Sequence, residues 1–86
     1  MVLTSEQIRA SRAILRWKAS DLAEKAGVGL STVQRAEQGD GPVTMMRANL
    51  DAIRRTLEAA GIEFIPENGG GAGLRLRKPD PWPRIS

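Results

Sequence analysis

The side chains this chain carries decide which chemistry is open to it. Its 86 residues include no cysteine, no histidine and no tyrosine. That composition excludes a disulfide framework, thiolate metal sites, imidazole ligands, Ser-His-Asp and Cys-His catalysis, and any histidine pH switch. The ten carboxylates do not cluster beside apolar residues in a way that raises a pKa, and a chain this short has little room for a closed pocket. The expectation is a protein that is not an enzyme, with no cofactor, no metal and no small-molecule ligand. What remains is recognition by hydrogen bond and charge. The hydroxyl of Ser31, the amide of Gln34 and the guanidinium of Arg35 stand close together in the segment LSTVQRAEQ. The 13 Lys and Arg against 10 Asp and Glu leave a net charge of +3, which permits an anionic partner without requiring one.

Helices are needed to position these groups, and the residue pattern supplies them. Thr4 with Gln7 three residues on forms a capping-box pattern, and Leu3 with Ile8 a hydrophobic staple, so a first helix is predicted to run to about Arg16. Ile8, Ser11, Ile14 and Leu15 make its inner stripe and leave Arg9, Arg12 and Arg16 on or near the wet side. A second helix covers roughly Ser20 to Ala26 and stops at Gly27. A third begins near Leu30, ends before Gly39 and turns Val33 and Ala36 inward. After the loop Asp40, Gly41 and Pro42, Thr44 is placed to cap a long fourth helix with the stripe Met46, Leu50, Ile53, Leu57 and Ala60, stopped by Gly61.

Beyond Gly61 the period changes. Ile62 to Ile65 and Leu74 to Arg77 read as the strands of a hairpin around a glycine cluster, and Pro79, Pro81 and Pro83 make the last eight residues an extended arm. The predicted organisation is residues 1–61 as a helical domain, 62–78 as a hairpin and 79–86 as a proline-rich tail. Neither GGGAGLRLRK nor GVGLST completes a phosphate-loop or dinucleotide fingerprint, so both read as loops. No uncharged apolar run reaches the ~18 residues of a membrane span, and MVLTSEQIRA has neither a basic leader nor an apolar signal core. A soluble, cytoplasmic protein without a membrane partner is expected.

The segment Ala19 to Gln38, ASDLAEKAGVGLSTVQRAEQ, sets two short helices around a glycine turn. Leu22, Ala23, Ala26, Val28, Val33 and Ala36 face inward, and Ala23 is small where the helices cross. This pattern resembles the helix-turn-helix of the Cro and lambda-repressor class of bacterial regulators, the xenobiotic-response-element family. The flanking RASRAILRW and TMMRANLDAIRRTLEAAG are similar to that family's first and following helices, so the resemblance covers about three-quarters of the chain. It implies a mainly α, four-helix lambda-repressor-like domain followed by the hairpin, with a reading helix at about 30–38 in the major groove of double-stranded DNA.

Carried over position by position, the resemblance puts Leu30, Ser31, Gln34 and Arg35 against the bases. Gln34 suits adenine, Arg35 guanine or a phosphate, Ser31 either kind of base, and Leu30 a thymine methyl. Arg16, Lys18, Ser20, Thr32, Gln38, Thr44 and Arg47 are the phosphate candidates. The chain departs from the family at Ala19, usually glutamine, at Lys18, usually a serine or threonine cap, and at Gly29, usually serine. Ser20 is then an alternative cap for the second helix. Glu37 is expected to be structural, facing its own helix's arginine or the neighbouring helix. Arg54 and Arg55 read as ordinary surface charges, Trp17 and Phe64 as core or interface anchors, and Trp82 as packing on a partner subunit in preference to lying disordered with the tail.

A single reading helix offers few base contacts. The expectation is therefore a homodimeric transcriptional regulator, a repressor by resemblance, on a palindromic operator with half-sites a turn or more apart. The hairpin is the expected dimer element through Ile62, Phe64, Leu74 and Leu76, its rival being a hairpin folded back on its own helices. The alternative function is a helix-turn-helix-like protein-interaction module, an antiactivator or antitoxin-type partner. Shortness leaves no room for a ligand-sensing domain, so regulation is expected through concentration, a protein partner or degradation.

Overall fold

The computed structural model describes residues 2–66 and 69–77; the expectations for Lys78, the proline-rich arm and Trp82 lie outside these. Four helices, α1 (Ser5–Leu15), α2 (Ala19–Ala26), α3 (Leu30–Gln38) and α4 (Arg47–Ala59), precede an antiparallel hairpin of β1 (Ile62–Ile65) and β2 (Gly73–Leu76). This is the mainly α fold with a C-terminal hairpin that the periodicity predicts.

Local chemistry accounts for most boundaries. The Thr4 hydroxyl accepts the Gln7 N–H at 3.1 Å while Gln7 Oε1 accepts the Thr4 N–H at 2.9 Å, closing the capping box. Arg16 ends α1 in the left-handed region at φ 59 and donates its N–H to Ala13 O at 3.1 Å. Gly27, at φ 71, makes the turn between α2 and α3; the space around it is open, but a Cβ there would strain the backbone.

Two helix starts differ from expectation. Ser20 does not cap α2; Lys18 is the N-cap residue, its backbone N–H held by the Asp21 carboxylate at 2.8 Å, so the helix opens at Ala19. Thr44 does not cap α4. The Val43 N–H is donated to Leu3 O at 2.9 Å, which holds this segment beside the N-terminal residues and delays the helix to Arg47, with Met46 as N-cap. Met46 is consequently 70% exposed rather than part of the inner stripe, and Met45 packs against the core instead.

One apolar cluster joins the elements. Leu3 and Ile8 enter it from the N-terminal part, Leu22 and Ala23 from α2, Val33 and Ala36 from α3, Ile53 and Leu57 from α4, and Ile62 and Phe64 from β1. Ile14 stays outside it. It lies on the same side of α1 as Gln7, whose amide donates to Gly73 O of β2 at 2.8 Å, but about two turns further on, and it is 43% exposed.

The hairpin pairs Ile62 with Leu76 and Phe64 with Leu74. Ile62 and Phe64, expected at a dimer interface, are buried inside this one chain, and Leu74 is half-buried against the same cluster. The hairpin folds back on α1 and α4 because its apolar face completes their core. Of the four expected interface residues only Leu76 stays exposed. Among the described residues no helix is long and apolar enough to cross a membrane.

Candidate nucleic-acid interface

The two sides of α3 have opposite fates, decided by the turn of ~100° between successive residues. Val33 and Ala36 point into the core. Leu30, Ser31, Gln34, Arg35 and Gln38 are exposed, and Thr32 is half-buried at the edge of their face. Among the described residues, Gln34 and Arg35 form neither a salt bridge nor a side-chain hydrogen bond, so an amide and a guanidinium on adjacent residues stand with their donors uncommitted. These are the expected base-reading residues, and the fold brings them onto one solvent face.

The same helix is gripped from behind. Arg12 of α1 makes a bidentate pair with Glu37, Nε to Oε2 and Nη2 to Oε1 both at 2.8 Å, and the Glu37 carboxylate raises the Arg12 pKa above its usual value. Arg9 donates to the Glu37 carbonyl and to Gly39 O, and Ser5 Oγ donates to Ala36 O at 2.7 Å. Two of the last carbonyls of α3, which have no partner within the helix, are thus satisfied by α1. Glu37 is structural as expected, and it faces the neighbouring helix. Arg9 and Arg12 are half-buried rather than on a wet side. They fix the angle at which α3 is presented, a role that sequence reasoning missed because the partners lie 25 or more positions apart.

The phosphate candidates divide into groups. Arg16, Lys18 and Ser20 are exposed around the end of α1 and the start of α2, where the first-turn N–H groups of Ala19 and Ser20 have no intrahelical acceptor. Thr32, Arg35 and Thr44 come together in an open cleft of about 340 Å³ that also takes in Met45, Met46 and Asn49. Asn49, absent from the sequence-based candidates, adds an amide to the cleft that Arg35 lines. Arg47 is not in this cleft. It lines a second groove farther along α4. Gln38 is exposed at the end of α3.

The aromatic anchors are where their expected roles put them. Trp17 is half-buried against the core with Lys25 Nζ 5.2 Å from its ring centroid, and Phe64 is a core residue. Among the described residues no three acidic side chains gather as a metal site would require. Compared with known proteins, the chain matches no family model and no curated protein sequence.

Proposed function

We propose that the protein is a sequence-specific binder of double-stranded DNA that acts as a homodimeric transcriptional regulator in the bacterial cytoplasm, on a palindromic operator. One observation carries the reading: the exposed face of α3 presents the uncommitted polar groups of Ser31, Gln34 and Arg35, while three residues of α1 hold the end of that helix. A rigid helix with free hydrogen-bonding groups is what base-edge recognition in the major groove requires. Gln34 and Arg35 then read purines, Ser31 and Leu30 adjust the fit, and Thr32, Gln38 and Thr44 with the opening of α2 hold the sugar-phosphate backbone. Arg16 and Lys18 add positive charge on that side.

A second reading, a module that binds a protein through the same face, is favoured by the apolar residues beside it. Leu30 at the start of α3 and Met46 in the cleft with Arg35 and Thr32 are both open to solvent. Selection from a random pool of duplex DNA separates the two. An enriched inverted repeat supports the operator reading, with affinity falling against salt at a log-log slope near about −0.9 for each phosphate contacted. Retention of no preferred sequence overturns it in favour of the protein-binding module.

A further inference from the structure

A groove of about 700 Å³ runs beside α4 and meets the cleft at Arg35 only through Met45, which lines both. Its apolar part is made by Val2, Val43, Met45 and Leu50, all at least partly open, with the buried Leu3 beneath them. Its other side is a row of charges on α4: Arg47, Asp51, Arg54 and Glu58. Steps of four, three and four residues put all four on one strip of the helix. The signs alternate in pairs about its middle.

That order has a symmetry of its own. Arg47 and Glu58 lie equally far from the peptide joining Ala52 and Ile53, and so do Asp51 and Arg54. When two copies of such a helix run antiparallel about a twofold axis through that point, Arg47 meets the partner's Glu58 and Asp51 meets the partner's Arg54. Every opposed pair is then of opposite sign. A parallel pair would set each charge against its own copy. In a twofold interface a residue that contacts another is contacted by it in return, so one helix carries both halves of the match.

We propose that this face of α4 is the homodimer interface, occupied by a second copy of the chain with the two α4 helices antiparallel. Within one chain Arg54 already bridges Asp51 at 3.4 Å and Glu58 at 3.2 Å, while Arg47, among the described residues, has no ion-pair partner. Association gives Arg47 its carboxylate and covers the apolar side of the groove. Cover of that apolar surface supplies the attraction, and the charges set direction and register. The arrangement also suits the reading helix. Thr32 and Arg35 of α3 adjoin the residues at the start of α4, so antiparallel α4 helices of 13 residues, about 20 Å long, send the two α3 helices to opposite ends of the dimer. Adding the width of the flanking elements brings the separation toward the ~34 Å between half-sites one turn apart.

This inference rests on the DNA-binding reading for its purpose, and its test needs no DNA. Sedimentation equilibrium of the full chain measures the dimer constant for the wild type and for two variants with single-sign faces, Arg47→Glu/Arg54→Glu and Asp51→Arg/Glu58→Arg. Expected are a dimeric wild type, two variants whose dissociation constants each rise at least about tenfold, and a mixture of the two variants that returns to within about threefold of wild type. Circular dichroism checks that each is folded. Should either variant not fold, Arg47→Glu weakens the dimer and Arg47→Glu/Glu58→Arg restores it. A monomeric wild type, folded variants that dimerise like wild type, or a folded mixture that fails to recombine each overturn the proposal. Loss of DNA recognition by an intact α4 dimer would count against the operator reading alone.

Discussion

Gln34 and Arg35 carry uncommitted polar groups because they turn to solvent, while Glu37, farther along the same helix, turns toward α1. Its carboxylate is engaged by Arg12, and Arg35, two positions away, lies on a different side of the helix. Arg35→Ala is therefore expected to lose DNA affinity by about 1–3 kcal/mol with its melting temperature near wild type, because the side chain supports nothing in the fold; a gel-shift titration beside a thermal melt reads both. Glu37→Ala acts on the other quantity. It leaves the partly buried Arg12 guanidinium without its carboxylate and is expected to cost about 1–2 kcal/mol in a urea titration, the range being held down by solvent around Arg12. If Arg35→Ala were the more destabilising of the two, the assignment of one side of α3 to recognition and the other to structure would be wrong.

Two of the polar contacts between segments depend on pH. The Gly41 N–H donated to Glu6 at 2.9 Å is the main reason the Glu6 carboxyl titrates below its usual 4.5. The hydrogen-bonded Arg75 does the same for Glu63 across the hairpin, at 3.0 Å. A carboxyl with a lower pKa in the folded state than in the unfolded one contributes stability above the unfolded value. That contribution is lost as the pH falls through the folded one. Thermal midpoints should hold from neutral pH to about 5 and decline below it, and Glu6→Gln/Glu63→Gln should flatten that acid limb. A double variant with an unchanged acid limb would show that other carboxylates control it. Among the elements, the starts of α2 and α4 were the least legible in the sequence. Ser20 and Thr44 are good capping residues by type, yet a carboxylate three positions on favours Lys18, and a backbone contact with Leu3 displaces the start of α4.

For the molecule as a unit, the hairpin belongs to the core of a single chain. Phe64 packs in the cluster that contains the inner residues of all four helices, so Phe64→Ala is expected to cost about 3–5 kcal/mol in denaturant titration. A loss well under about 1 kcal/mol would place the ring outside the core. Removing the hairpin should accordingly weaken the fold itself, and a change of mass after that truncation would not identify a dimer contact. The association surface proposed on α4 leaves the hairpin in place and is tested by charge alone.

Features set by neighbours along the chain were readable from the residues alone. The Thr4 and Gln7 capping box, the turn at Gly27, the inward Val33 and Ala36, the outward Gln34 and Arg35, and the alternating strands all depend on spacings of a few residues. Which exposed-looking groups were already engaged depended on the folded chain. The Arg12 pair with Glu37, the Arg9 and Ser5 bonds to the end of α3, the cleft that Asn49 and Arg35 both line and the burial of Ile62 and Phe64 bring together residues far apart in the chain. An apolar strand face has to be covered, but its pattern does not say by what. Here the nearest uncovered apolar surface was the chain's own helical core, and burying the two together removed both from water.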